Sequence, residues 1–212
     1  MSLKLGETAP DFTAETTEGE LSFHDWAGDN WVLLFSHPAD FTPVCTTEMG
    51  RVAALSDELQ ERGVKPIGLS VDPLEDHKKW VPDIEDTQNV TIDYPIIADE
   101  SKEVANLYGM MHPEADDTHT VRSVFLIDPD KKIRLTLTYP APVGRNFDEV
   151  LRFIDAMQLS DEYDIATPVD WEPGDRVIVK PSITDEDEVK EKFGEVEELR
   201  PYLRYTDDPS KK

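Results

Sequence analysis

The chain has 212 residues, 46 Asp and Glu against 21 Lys and Arg, and a formal net charge of −25. A negative surface repels phosphate backbones and anionic lipid, which argues against nucleic-acid and membrane partners. No apolar run approaches the ~18 residues of a transmembrane helix, and the segment Met1 to Glu7 has no signal-peptide core, so the expectation is a soluble, cytoplasmic protein.

The continuous apolar run Trp31-Val32-Leu33-Leu34-Phe35 reads as a buried strand, and Thr42-Pro43-Val44-Cys45 opens a helix that extends to about Arg62. A second strand, Val64 to Val71, leads into a helix started by Asp72-Pro73-Leu74-Glu75 and running through His77, Trp80 and Val81. Tyr94 to Ala98 is a short strand, and Glu100 to Tyr108 a helix stopped by Gly109. Strands Ser123 to Ile127 and Ile133 to Tyr139 form a hairpin across Asp128-Pro129-Asp130-Lys131, and a helix begins at Asn146 with Val150, Leu151, Phe153, Ile154 and Met157 on its apolar face. The order β-α-β-α-β-α-β-β-α predicts an α/β domain over residues 1–160, built on a mixed central sheet flanked by helices. Residues 161–212 form a small C-terminal extension with Val177-Ile178-Val179 and an acidic helical stretch from Thr184 to Phe193. Its apolar residues look too few for a core of its own, so it is expected to lean on the first domain or on a second subunit.

Cys45 is the single cysteine, which rules out an intrachain disulfide and a cysteine-rich zinc site. His37 and Cys45 alone are too few ligands for a structural metal, and His112 and His119, around Asp116 and Asp117, read as a solvated loop. Gly-rich phosphate loops and a Gly-x-Ser-x-Gly elbow are absent from the sequence. No metal and no cofactor is expected. Cys45 falls in the first turn of its helix, with Thr42 at the N-cap and Pro43 at N1. Unpaired N–H groups and the positive end of the helix dipole there favour the thiolate, the nucleophilic form of sulfur. The Thr42 hydroxyl is expected to accept from an N–H of that turn and to direct its own proton at whatever lies in front of the sulfur.

A lone cysteine in such a helix is by itself more often an inert core residue, but its surroundings are specific. Pro38, Thr42 and Cys45 meet the Pro-x-x-x-Thr-x-x-Cys pattern of the peroxiredoxins, and the string Phe35 to Glu48 resembles the one-cysteine subfamily. So do Pro142 to Glu149, Thr167-Pro168-Val169-Asp170-Trp171 and Tyr202-Leu203-Arg204-Tyr205-Thr206. The resemblance implies a thioredoxin-like fold and a C-terminal domain that reaches across a homodimer, with larger rings as a further possibility in the family. It implies catalytic roles for Cys45, Thr42 and Arg122, with Arg122 holding the thiolate and the peroxide. Pro38 would shield the site, Glu48 and Arg145 would be an ion pair steadying the arginine and the helix, and His37 also matches.

The implied reaction is reduction of hydrogen peroxide and organic hydroperoxides through a Cys45 sulfenic acid, which an external thiol such as thioredoxin or glutathione reduces. A redox sensor or holdase using the same cysteine is the alternative. Some one-cysteine relatives carry lipid hydrolysis on a separate Ser-His-Asp site. Here His24 and Asp130 match that pattern, but Asn30 stands where the serine would be, so no such activity is expected.

Overall fold

A computed structural model describes residues 3–211. The chain divides into two compact units, Met1–Arg145 and Asn146–Lys212.

In the first unit the strands are β1 (Thr13–Thr16), β2 (Gly19–Ser22), β3 (Trp31–Ser36), β4 (Val64–Ser70), β5 (Ile96–Ala98), β6 (Arg122–Ile127) and β7 (Ile133–Tyr139). The helices are α1 (Phe23–Ala27), α2 (Pro43–Ala54), α3 (Ser56–Glu61), α4 (Leu74–Gln88) and α5 (Glu103–Leu107). One seven-stranded sheet results, in the order β2-β1-β5-β4-β3-β6-β7. β3 runs parallel to β4, and β4 to β5, while the other neighbours are antiparallel. This is the mixed sheet of a thioredoxin-like fold.

Every residue of β3 and β6 is buried, as expected where a strand is central and covered on both faces. Successive side chains alternate between those faces. Val32 and Leu34 join a core with Phe23, Ile67, Leu69, Tyr108, Phe125 and Ile127. Phe35 points the other way, its ring 5.9 Å from that of Tyr94. On that side Met49 of α2 comes so close that a Cβ on Gly68 would lie 3.3 Å from Met49 Cε. α2 also packs on α4, and a Cβ on Gly50 would stand 2.6 Å from Gln88 Cβ, so only glycine allows this crossing.

The hairpin β1–β2 and helix α1 carry no sequence signal of the kind that marks β3: the hairpin is built of Thr, Glu and Gly with little alternation. It is closed by Thr16, whose hydroxyl accepts from Glu18 N–H at 3.1 Å and donates to the Gly19 carbonyl at 2.8 Å. The single helix expected from Pro43 to Arg62 is broken at Leu55, whose ψ of 7° lies outside the helical well. α5 starts at Glu103 because Lys102 takes a left-handed conformation, φ 61°.

In the second unit α6 (Phe147–Tyr163) is capped by Asn146, whose side chain accepts from Asp148 N–H. The helix runs through residue 160, where the domain boundary is expected from sequence. β8 (Ile165–Ala166), β9 (Val177–Val179), α7 (Glu186–Phe193), β10 (Glu197–Arg200) and β11 (Leu203–Thr206) follow, and the strands make a sheet in the order β10-β11-β9-β8. The few apolar residues of the tail are concentrated: Ile165, Trp171, Val177, Val179, Ile183 and Phe193 form a buried cluster with Ala156 of α6. The tail's apolar residues, with the rings of Trp171 and Phe193, thus close a core only together with α6, which the sequence reading placed in the first domain. Asp185 caps α7 by accepting from Asp187 and Glu188 N–H. Acids in its first turn and lysines in its last complement the dipole.

Candidate active site

α2 begins where β3 ends, after the loop 37–42. Pro43 at N1 lacks the N–H that would be unpaired there, and Cys45 occupies the first turn, fully buried. β6 is the neighbour of β3, so its first residue, Arg122, lies beside that turn. Arg122 Nη1 is 3.4 Å from Cys45 Sγ. The guanidinium is fixed from behind by the Ala141 carbonyl, which accepts from Nε at 2.9 Å and Nη2 at 2.6 Å.

Glu48, one turn beyond Cys45, accepts from Arg122 Nη1 at 2.6 Å. It also accepts from Arg145: Nε at 2.8 Å, Nη2 at 2.7 Å and the backbone N–H at 2.8 Å. Burial alone would push this carboxyl up. Hydrogen bonds and charge from Arg145, with the charge of Arg122, outweigh it and hold Glu48 below the usual carboxylate range. Arg145 Nη1 donates to the Ser36 and Ser123 carbonyls, at the end of β3 and the start of β6, both at 2.8 Å. Its guanidinium lies 5.4 Å from the centre of the Phe35 ring. Four side chains named from sequence, Cys45, Arg122, Glu48 and Arg145, are thus in one buried cluster, with a carboxylate and two guanidiniums arrayed beside a thiol.

Thr42 is at the N-cap with extended backbone, but its side chain accepts no N–H of the turn. Instead the hydroxyl donates to the Ala39 carbonyl at 2.8 Å. That corrects the expected direction: the Thr42 proton goes to the loop carbonyl, and the oxygen keeps its capacity to accept. Pro38 is half-buried in the same loop.

His37 belongs to a second cluster that sequence reading missed. Its Nε2 is 2.7 Å from Asp40 Oδ1, and His77 Nδ1, from α4, is 2.5 Å from Asp40 Oδ2. All three are buried. Burial lowers the proton affinity of His37 further than Asp40 raises it, so the ring is held neutral. Burial would raise the Asp40 carboxyl, but the hydrogen bonds from His37 and His77 hold it low. The spacing His37-x-x-Asp40 was a usable signal, whereas His77 comes from a distant segment that only the fold brings in. These are also the residues that could ligate a metal among those described, their ligand atoms lying within 4.8 Å of one another. His37 Nε2 and His77 Nδ1 are, however, each already at hydrogen-bond distance from an Asp40 carboxylate oxygen.

Of the lipid-hydrolysis pattern, His24 Nε2 is 2.9 Å from the Ala9 carbonyl, and Asn30, standing where a serine would be needed, donates from Nδ2 to the Ala27 carbonyl. Asp116 Oδ1 accepts from Thr118 and His119 N–H, closing the exposed loop. Among the described residues no helix is long and apolar enough to cross a membrane.

The sequence profile of the AhpC/TSA family matches residues 5–136, and that of the C-terminal domain of 1-Cys peroxiredoxin matches residues 156–195. The chain belongs to the peroxiredoxins, a family of thiol peroxidases. Within it the similarity is to one-cysteine members. A 1-Cys peroxiredoxin of Dictyostelium discoideum is 49% identical over 99% of this chain and 87% of that protein. The crystal structure of a cysteine-to-serine mutant of peroxiredoxin 6 of Arenicola marina superimposes with a TM-score of 0.93 at 47% identity, covering 98% and 99% of the two chains. A yeast mitochondrial 1-Cys peroxiredoxin gives 0.91 at 50% identity over 97% and 99%, and its structure describes thiol resolution through glutathione and thioredoxin systems.

Proposed function

We propose that Cys45 is the nucleophile of a one-cysteine peroxidase that reduces hydrogen peroxide and organic hydroperoxides, with Arg122 and Thr42 as the groups that hold the substrate. The observation that carries this reading is Arg122 Nη1 at 3.4 Å from a sulfur placed in a helix's first turn. The thiolate sulfur attacks the terminal oxygen in line, the S–O bond forms as the O–O bond breaks, and the departing oxygen takes a proton to leave as water or alcohol. Arg122 stabilises the charge that moves from sulfur to that oxygen. Thr42, its proton given to Ala39, accepts from the hydroperoxide O–H and orients it. Glu48 and Arg145 keep Arg122 in place, while Pro38 and His37 complete the wall of the site.

Cys45 becomes a sulfenic acid with no second cysteine in the chain to resolve it. One external thiol condenses with it to a mixed disulfide and water, and a second displaces Cys45 as the free thiol. Glutathione and thioredoxin are the candidate reductants, as supported by the yeast relative. The reading includes a homodimer contacted through the C-terminal domain, residues 161–212, and a cytoplasmic location, although the yeast relative is mitochondrial. Peroxide consumption assayed with glutathione, thioredoxin and dithiothreitol tests it. Turnover with at least one of them, lost in Cys45→Ser while the melting transition is kept, is the expected result. Undiminished turnover in Cys45→Ser, or none in the wild type with any of the three, would overturn it.

A further inference from the structure

We infer that Asp40 and His77 are positioning residues of the peroxide site, which act by fastening the loop that carries Pro38 and Thr42; the inference rests on the peroxidase reading above. The loop 37–42 connects β3 to α2 and has two groups of anchors. At its start, His37 N–H donates to the Leu69 carbonyl at 2.9 Å, and the His37 carbonyl accepts from Thr120 Oγ1 at 2.7 Å. In its middle, Asp40 is held at both ends of the residue. Its N–H donates to Asp72 Oδ2 at 3.0 Å, an oxygen that also accepts from Ser70 Oγ at 2.7 Å. Its carboxylate lies between His37 Nε2 and His77 Nδ1.

Phe41, between Asp40 and Thr42, has φ 54°. A side chain this large adopts the left-handed conformation only where its surroundings over-determine it. Phe41 is 53% exposed, so burial of its ring does not impose that conformation. Its immediate neighbour Asp40 does, pinned to β4 through Asp72 and to α4 through His77. Without the carboxylate's two bonds Phe41 can relax to negative φ, and the turn that sets Thr42 against α2 goes with it.

The cluster also fixes a tautomer. His37 Nε2 faces a carboxylate and therefore carries the proton, leaving Nδ1, buried and without a partner among the described residues, as an acceptor. Both nitrogens of His77 face acceptors, Asp40 Oδ2 and, at 3.2 Å, the Ile97 carbonyl. An asparagine at 77 would keep the donor that Asp40 uses, whereas a phenylalanine would remove it.

The experiment uses the full chain with Cys45 reduced, comparing wild type, Asp40→Asn, His77→Asn and His77→Phe. It measures the second-order rate with hydrogen peroxide, the rate of Cys45 alkylation by iodoacetamide, the melting transition and the 15N spectrum of the His37 ring. Displacing a substrate-orienting group by about an ångström costs on the order of 10²-fold. That loss is expected for peroxide in Asp40→Asn and His77→Phe, with alkylation within about threefold of wild type. His77→Asn should recover most of the peroxide rate, and the Nε2–H signature of His37 should be present in wild type and lost in Asp40→Asn. Should Asp40→Asn not fold, the two His77 variants decide. Folded variants with wild-type peroxide rates overturn the inference, as does equal slowing of peroxide and alkylation, which marks a merely structural role. A wild type that alkylates but does not react with peroxide overturns the peroxidase reading itself, and this one with it.

Discussion

Two buried carboxylates flank the segment that carries Cys45, and they are partnered by different kinds of side chain. Glu48 lies among guanidiniums, Arg122 and Arg145; Asp40 lies between imidazoles, His37 and His77. Guanidiniums keep their charge at any pH a protein meets, while imidazoles exchange theirs near neutrality. The Glu48 cluster therefore applies a permanent field, directed at the sulfur through Arg122. The Asp40 cluster is a hydrogen-bonded fastening whose proton count can change. On the readings proposed above, one serves the charge of the reaction and the other the shape of the loop.

The sharpest way to break this comparison is at Glu48. Glu48→Gln leaves two buried guanidiniums facing a neutral amide, and breaking a buried ion pair from one side costs about 3–5 kcal/mol. A surface pair is the control: Glu188 and Lys192, 2.8 Å apart on α7, are both more than 40% exposed, so Glu188→Gln should cost about 0.5 kcal/mol or less. Urea unfolding of the two variants measures the difference. Equal costs would mean that the Glu48 network contributes no more than a surface pair.

Next in size is Arg122→Met, which keeps the length of the side chain and removes the charge beside the sulfur. The rate with peroxide should fall about 10²-fold, as when one stabilising donor is taken from a developing anion. Arg122→Lys should recover little of it, because an ammonium cannot bond Glu48, the Ala141 carbonyl and the sulfur region with one planar fork. Stopped-flow mixing with hydrogen peroxide checks both, and an unchanged rate in Arg122→Met would remove Arg122 from the reaction.

How far each cluster is legible in sequence follows from how it is assembled. β3, β4, β6 and β7 announce themselves as apolar or alternating runs, and α2 by Thr-Pro before an apolar face. The resemblance to peroxiredoxins then singles out Cys45, Thr42 and Glu48 within the string Phe35 to Glu48, Arg145 within Pro142 to Glu149, and Arg122 by its place at the head of a strand. The hairpin β1–β2 stays hidden because its Thr, Glu and Gly residues carry no periodic apolar signal, and it forms by pairing with β5. The break at Leu55 is equally silent, since a buried leucine suits a continuous helix as well as a kinked one. Asp40 and His77 are invisible as a pair: they are 37 residues apart and meet only because α4 returns to the end of β3. The direction of the Thr42 hydroxyl bond depends on where the Ala39 carbonyl points, which is set by the loop and not by the cap residue.

The smallest effect separates the two clusters by pH. His37 is held below its ordinary value of 6.5, by burial against the opposing pull of Asp40 and Asp72 and with help from His77. The unfolded chain therefore takes up a proton near 6.5 that the folded ring refuses. Below that value stability falls as the pH falls, by about 1.4 kcal/mol per pH unit for one proton, until the folded ring also titrates. Glu48 and Asp40 have folded values below their ordinary 4.5 and 3.8. Their contribution is complete above those values and is lost as the pH falls through the folded ones. Urea midpoints between pH 8 and 3 should thus decline in two stages, the first from about 6.5 and belonging to His37, the second near 4 and belonging to the carboxylates. His37→Asn should flatten the first stage and leave the second. A first stage that persists in His37→Asn would assign it to the other histidines and would remove the titrating half of the contrast.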